Sequence, residues 1–117
     1  TKLWAEQMGE MYARMYGLSV IAARIGWLPR GPRMAGNIVR KSAEPVYLSH
    51  DDAARFFTGA VEADLEAGTF ATLHAAGPGA ADGRPSPYDL EPGRALIGYE
   101  PQDPFPQGMP YEPACDV

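Results

Sequence analysis

The sequence predicts an α/β fold with two short strands, flanking helices and long loops. Two segments with helical periodicity are each followed by a short apolar run, and this repeated order is typical of α/β layers. The 13 glycines and 12 prolines among the 117 residues cluster after Gly26 and after Gly77, where they predict irregular segments. A chain of this length holds at most one hydrophobic core.

The first predicted helix covers residues 2–16. Glu10 and Arg14 are four apart in the order that supports a helix, and Gly17 supplies a left-handed stop. The apolar run 18–24, with its β-branched residues, predicts a buried strand. The larger apolar residues of the helix recur every three or four positions and share one face: Trp4, Met8, Met11, Tyr12 and Met15.

Residues 26–45 are predicted to form a long loop, because proline and glycine recur throughout it. Its basic side chains are candidates for clamping a carboxylate or phosphate, since a guanidinium offers a bidentate fork. The alternative is a solvated loop. The basic residues are Arg30, Arg33, Arg40 and Lys41.

A second helix is predicted from Ser49, its N-cap, to about Glu66, with Asp52 completing a capping box. Residues 46–48 before it are a brief extended piece, and residues 69–74 after it read as the second strand. The order helix then strand is thus repeated.

The last third of the chain is predicted to be largely irregular. Residues 77–88 form a turn-rich loop, and a short helix from about 90 to 97 has Asp89 as its N-cap and Gly98 as its stop. The proline-rich tail 99–117 is expected to be an extended segment lying over the surface or disordered at its end.

Composition argues against several classes of protein. The net charge is −5 and no run of Lys or Arg follows a phosphate backbone, so nucleic acid is not an expected partner. The most apolar stretch, 18–28, is too short to cross a bilayer, and no signal-peptide pattern opens the chain. The single cysteine, Cys115, is compatible with a reducing cytoplasm. His50 and Asp51 lack further ligands nearby in sequence, so no metal site is expected.

Four linked patterns carry a family resemblance. They are Thr1-Lys2-x-x-x-Glu6, Tyr16-Gly17-Leu18, Ala23-Arg24-Ile25-Gly26 and Leu48-Ser49-His50-Asp51-Asp52-Ala53. At these separations the chain resembles the extended short-chain dehydrogenase/reductase family of NAD-dependent epimerases and dehydratases, and is most similar to its uronate dehydrogenase-like branch. The resemblance implies that residues 1–117 are the C-terminal portion of an NAD(P)-binding Rossmann-like domain, with substrate-side loops 26–45 and 77–88.

The resemblance also implies roles for individual residues. Lys2 matches the lysine of the family's Tyr-x-x-x-Lys motif, which supports the catalytic tyrosine and binds the nicotinamide ribose of NAD or NADP. The tyrosine itself would stand four residues before Lys2, outside this chain. Ile25 and Gly26 are expected to approach the nicotinamide, and Trp27 and Arg33 are expected to contact a sugar substrate. Trp27 as plain packing is an alternative.

The expected activity is NAD(P)-dependent oxidation or epimerisation of a sugar, nucleotide sugar or sugar acid. Gly77-Pro78-Gly79 is not followed by a helix start, so the dinucleotide fingerprint is missing and the chain alone is expected to be inactive. The family also implies a homodimer formed through helix 2–16. Two alternatives remain: a non-catalytic module of the same fold that senses a nucleotide or mediates dimerisation, and an independent small domain.

Two further side chains have structural interpretations. Arg24 is either a substrate contact or a structural cation paired with Asp51 or Asp52. His74, within or at the end of the second predicted strand, is interpreted as a core or edge residue.

Overall fold

The computed structural model describes residues 1–108 and shows an α/β arrangement of four α-helices and a two-stranded parallel sheet in that range. None of the helices in that range is long and apolar enough to cross a membrane. In chain order the elements are α1 (Lys2–Tyr16), β1 (Val20–Ile25), α2 (Pro32–Arg40), a 3-10 turn (Glu44–Val46), α3 (His50–Glu62), β2 (Phe70–Ala75) and α4 (Glu91–Ile97).

The two strands run parallel and in register from Val20 opposite Phe70 to Ile25 opposite Ala75. Both strands and their parallel pairing were predicted from the sequence, and both predictions are confirmed, with boundaries displaced by one or two residues. The expectation that the first strand is buried is wrong, because β1 is half-buried over its first four residues and exposed at Arg24 and Ile25. Parallel strands need a crossover connection, and the segment containing α2 and α3 supplies it here.

The two faces of the sheet are covered by different helices. On one face α1 lies close to the strands because Gly9 has no side chain: a Cβ there would stand 3.1 Å from Cγ1 of Val20 and 3.4 Å from the Phe70 ring. Ala13 on the same helix is buried. The opposite face carries the main core, formed by Leu48, Phe56, Leu73, Ala75, Ile97 and Tyr99.

The large apolar residues of α1 do not form the contact with the sheet. Trp4 is 65% exposed and Met15 64%, and Met11 is exposed as well. The small residues Gly9 and Ala13 occupy the face toward the strands instead. The helix therefore presents its most apolar side to the outside of this chain.

The prediction of a continuous loop over residues 26–45 is wrong, because the segment contains α2 and the 3-10 turn. Pro32 occupies the first turn of α2, where its missing N–H costs nothing. Ala35 and Ile38 face inward and pack with Tyr47 and Phe105 in a second core, so the expectation of at most one hydrophobic core is wrong. This packing compensates for Gly and Asn in the helix interior, which are poor helix formers.

Ser49 is the N-cap of α3, as predicted, and its Oγ accepts a hydrogen bond of 2.9 Å from the backbone N–H of Asp52. The second half of the predicted capping box, in which the Asp52 side chain would bond the backbone N–H of Ser49, is wrong. The Asp52 carboxylate instead accepts hydrogen bonds from the backbone N–H groups of Gln102 (2.8 Å) and Asp103 (2.9 Å). The helix ends at Glu62, earlier than predicted.

Helix α4 confirms the predicted short helix and its stop, since Gly98 adopts a left-handed φ of 68°. Asp89 is not its N-cap, because Leu90 occupies that position without a side-chain cap bond. Asp89 still contributes, as its Oδ1 accepts a hydrogen bond of 3.1 Å from the N–H of Glu91.

The described part of the tail packs into the molecule. Tyr99, Asp103 and Phe105 are buried, so residues 99–108 lie against the second core and α3, not loosely over the surface. The remainder of the predicted tail, residues 109–117 with Cys115, lies outside the described residues.

Candidate functional site

A groove of about 500 Å³ lies between α1 and β1. Helix α1 and strand β1 run in opposite directions, because Gly9 lies against Val20 while Glu6, nearer the start of the helix, bonds Arg24 near the end of the strand. The groove is lined by Lys2, Ala5, Glu6 and Gly9 of α1, by Val20–Ile25, and by Phe70.

Lys2 lines this groove together with Arg24 and Ile25. The first turn of α1 therefore stands at the carboxyl end of β1. Open parallel sheets bind their ligands outside the carboxyl ends of their strands. Two of the residues expected to act on a cofactor, Lys2 and Ile25, thus meet at the edge of the sheet where such ligands bind.

The Glu6–Arg24 ion pair forms one wall of the groove. Arg24 donates from Nε at 3.1 Å and from Nη2 at 3.0 Å to the Glu6 carboxylate. The hydrogen bond from Arg24 lowers the pKa of Glu6, and the same bond raises the pKa of Arg24. This ion pair agrees with the interpretation of Arg24 as a structural cation. The expected partners were wrong, because Arg24 pairs with Glu6 and with neither Asp51 nor Asp52.

Ile25 is the exposed last residue of β1, and the half-buried Gly26 follows it. The Ile25 side chain is 51% exposed, and the N–H of Gly26 continues the ladder with a 2.8 Å bond to the carbonyl of Ala75. A Cβ at position 26 would stand 2.6 Å from the carbonyl oxygen of Val46. Packing against the backbone therefore requires glycine here whether or not a cofactor binds.

Trp27 and Arg33 do not line the groove. Trp27 continues the strand direction in a parallel bridge with Tyr47, and its half-buried ring packs against the second core, with the Nζ of Lys41 at 5.7 Å from the ring centroid. Arg33 is exposed in the first turn of α2. The structure brings Lys2 and Ile25 together but leaves these two residues on the side of α2.

A buried polar cluster joins α3 to the tail, and the sequence did not reveal it. Asp52 is fully buried, and Nη1 of Arg55 bridges its Oδ1 (2.6 Å) and Oδ2 of Asp103 (3.2 Å). The Ser49 hydroxyl donates to the same oxygen of Asp103 at 2.7 Å. The i,i+3 spacing of Asp52 and Arg55 is visible in the sequence, whereas the third member stands 51 residues further on.

This cluster stabilises the fold and offers no free group for catalysis. Each carboxylate oxygen of Asp52 accepts a backbone N–H from the tail, and Arg55 and Ser49 satisfy Asp103. The hydrogen bonds to both carboxylates raise the pKa of Arg55, which keeps it cationic. Buried polar groups with satisfied partners hold segments in place.

Two buried tyrosines serve as hydrogen-bond donors. Burial, followed by the nearby charge of Asp103, raises the pKa of Tyr47 to about 12, and its hydroxyl donates to the carbonyl of Gln107 at 2.9 Å. Burial also raises the pKa of Tyr99, which donates to the carbonyl of Ala76 at 2.7 Å. Neither phenol is a base at neutral pH, so neither replaces a catalytic tyrosine.

The loop after β2 is held by ordinary structural contacts. Arg84 pairs with Asp82 at 2.8 Å and reaches Glu44 of the 3-10 turn at 3.2 Å. His74 is half-buried and stacks on Tyr88 with ring centroids 4.8 Å apart, in agreement with its interpretation as an edge residue. Within residues 1–108 no group of three or more His, Cys, Asp or Glu side chains is arranged to hold a metal ion.

Comparison with protein-family models, with curated proteins and with solved structures found no match to this chain. Its assignment therefore depends on the residues of the groove and on the sequence patterns that they belong to.

Proposed function

We propose that this chain supplies the carboxyl-terminal part of a Rossmann-like NAD(P)-dependent oxidoreductase or epimerase acting on a sugar, nucleotide sugar or sugar acid. The supporting observation is that Lys2 lines one groove with Ile25 and the Glu6–Arg24 pair, at the carboxyl end of β1. An exposed ammonium at this edge lies where ligands of parallel sheets bind.

In this proposal Lys2 has two tasks. Its positive charge favours the phenolate form of a tyrosine one helical turn earlier, and its N–H groups donate to the nicotinamide ribose. Bound NAD or NADP would accept or supply the hydride. The backbone at Ile25 and Gly26 borders the nicotinamide, and Trp27 and Arg33 contact the part of the substrate that extends toward α2.

The chain fits only the nicotinamide end of such a cofactor. Gly77-Pro78-Gly79 is followed by turns and no helix begins before Glu91, whereas a phosphate-binding turn needs a helix N-terminus directly after it. The activity is therefore proposed for an assembly in which another segment supplies the phosphate-binding turn and the tyrosine. Alone, the 117 residues are expected to bind no NADH at micromolar concentration in calorimetry.

The test is a Lys2→Ala substitution in the gene product that contains this sequence. Reduction of NAD or NADP is followed by absorbance with uronic acids, aldoses and nucleotide sugars as substrates. Loss of a group that supports proton transfer is expected to lower kcat by about 10²-fold or more. Arg14→Ala on the same helix is the matched control, since Arg14 pairs only with Glu10 at the surface. Equal activity of the two variants contradicts the proposal.

A non-catalytic role in dimerisation is the alternative, and the exposed apolar side of α1 favours it. Trp4, Met11 and Met15 lie on this side, and exposed apolar patches of this kind mark interaction surfaces. We propose a homodimer through α1 in either case. Trp4→Ser with Met15→Ser should convert the dimer to a monomer in light scattering at any salt concentration; an unchanged mass contradicts it.

The cytoplasm is the proposed location, because the cofactor and sugar substrates of this class are available there and Cys115 has no partner cysteine in the sequence.

A further inference from the structure

Charge is strongly segregated along this acidic chain. Residues 11–43 contain six Lys or Arg side chains and no Asp or Glu, whereas residues 56–83 contain four Asp or Glu side chains and no Lys or Arg. The two segments touch where β1 pairs with β2, but their charged residues are separated along the strands: the basic residues 30–41 lie on and around α2, beyond the carboxyl end of β1, whereas the acidic residues 62–66 lie in the connection from α3 to β2. The basic cluster therefore lies beyond the carboxyl end of β1, and the acidic segment lies near the amino ends of the strands.

The positive end is the exposed side of α2. Arg33, Asn37 and Arg40 are spaced by four and three residues, so they share one face of the helix over about 10 Å. Arg30 before the helix and Lys41 after it are also exposed. None of these basic residues lines the groove between α1 and β1. Sites for small ligands are concave and mostly apolar, whereas these side chains are exposed and charged along one helix face, so a macromolecular partner fits this face better.

The negative end is the segment that follows α3. Glu62, Asp64 and Glu66 are exposed and alternate with the half-buried Ala63 and Leu65, which places a carboxylate at every second position of this short segment. If extended, this segment spans roughly 13 Å, which is close to the length of the basic face. The backbone carbonyl of Glu66 accepts hydrogen bonds from the side chains just before both strands, which places the acidic segment at their amino ends.

Some of these charges form no ion pair among the described residues. In residues 1–108 no ion pair involves Arg30 or Arg33, and none involves the carboxylates of segment 62–66. Arg14, Arg84 and Arg94, which are exposed elsewhere on the surface, each pair with an acidic residue. Complementary charges on one surface steer association and set its orientation.

We propose that the basic face of α2 docks on the acidic segment 62–66 of a second copy of this chain. The two patches are different, so a single contact of this kind leaves one patch on each molecule available for a further copy. Because it is formed largely by exposed charges, it is weak and sensitive to salt. It is independent of the proposed enzyme activity and of the apolar contact through α1.

The experiment measures the mass of the full chain by sedimentation at two ionic strengths. Near 0.01 M, where the Debye length is about 30 Å, the average mass is expected to exceed the value near 1 M, where it is about 3 Å. The difference between the average masses at the two ionic strengths measures association through the charged contact. A contribution from the apolar side of α1 persists at high salt, so the two contacts are separable.

Charge reversal identifies the surfaces. Arg30→Glu with Arg33→Glu should abolish the salt-dependent association, and Glu62→Lys with Glu66→Lys should do the same. An equimolar mixture of the two variants should recover it, because each then presents the complement of the other. The control is Arg94→Glu, which reverses one charge elsewhere on the surface. Circular dichroism checks that each variant is folded. A mass that does not depend on salt, or a mixture of folded variants that fails to associate, overturns the proposal.

Discussion

Removing the Asp52 carboxylate is expected to cost this protein a large part of its stability. The side chain is fully buried and binds three groups: the N–H of Gln102 at 2.8 Å, the N–H of Asp103 at 2.9 Å and Nη1 of Arg55 at 2.6 Å. In Asp52→Ala the two backbone N–H groups lose their acceptor, and Arg55 keeps only its 3.2 Å bond to Asp103. Of the polar contacts between the tail and the start of α3, those of Asp103 with Ser49 and Arg55 then remain, beside the packing of Tyr99 on Phe56.

The expected loss in the free energy of unfolding follows from these hydrogen bonds. Each donor that stays buried without a partner costs about 1–3 kcal/mol. The Arg55 side chain is 36% exposed, so water compensates for part of its loss. Breaking one side of a buried pair typically costs about 3–5 kcal/mol, and we expect a value in that range for Asp52→Ala. The free energy of unfolding of a domain is only about 5–15 kcal/mol, so the variant should be close to unfolding.

Urea denaturation followed by circular dichroism measures the difference. Asp52→Asn keeps one acceptor oxygen with nearly the same shape and should lose less than Asp52→Ala. Asp51→Ala is the matched control, because that neighbouring carboxylate is exposed and should cost less than about 1 kcal/mol. If Asp52→Ala and Asp51→Ala lower the stability equally, the tail is not held as described and the reasoning is refuted.

Three further substitutions test other parts of the fold. Gly26→Ala should destabilise by about 1–3 kcal/mol, since its Cβ would stand 2.6 Å from a backbone carbonyl oxygen; Gly31→Ala, where a Cβ meets nothing within 4 Å, should be nearly neutral in the same melt. Phe56→Ala, at a fully buried position, should cost about 3–5 kcal/mol, whereas its neighbour Phe57, 47% exposed, should cost clearly less; equal losses would contradict the assigned core. The pKa of Tyr47 is raised to about 12, because the folded state holds the phenol proton more tightly than the unfolded chain does. The stabilisation from this phenol is therefore complete below the ordinary pKa of about 10 and is lost as pH rises toward 12. Tyr47→Phe should therefore weaken the loss of stability between about pH 10 and 12 in denaturation at a series of pH values, and an unchanged pH profile would show that the phenol is not protected.

Local signals in the sequence predicted the ends of several elements correctly. Gly17 and Gly98 both adopt a φ of 68°, because a left-handed residue at a helix end depends only on its immediate neighbours. Ser49 caps α3 for the same reason, since its acceptor and the N–H of Asp52 are three residues apart. The parallel pairing of the strands followed from their separation by helical segments.

Partners that are distant in the sequence were not predictable in the same way. Helix α2 contains residues of low helix propensity and depends on Tyr47 and Phe105 for its packing. Its segment was therefore predicted to be a loop. Arg24 was assigned to an acidic residue of α3, but α1 crosses the sheet in the direction that brings Glu6 to it. In both cases the chain path decides which candidate is within reach.

The residues of the candidate site show the same difference between local patterns and distant contacts. The residue patterns singled out Lys2, Ile25, Gly26, Trp27 and Arg33, and the fold brings only the first two into one groove. Helix direction accounts for this, because α1 begins where β1 ends. Trp27 turns with the chain toward α2 and packs on the second core, which no local spacing could indicate.

By itself, the sequence determined the order of helices and strands, the ends set by glycine and serine, and the segregation of charge, because each depends on residues close together in the chain. The tertiary structure alone decided which side of α1 meets the sheet and what holds the tail. Gly9 lets the helix approach the strands while larger apolar residues stay outside. Asp52 reaches backbone donors some fifty positions away, because folding returns the chain to the start of α3.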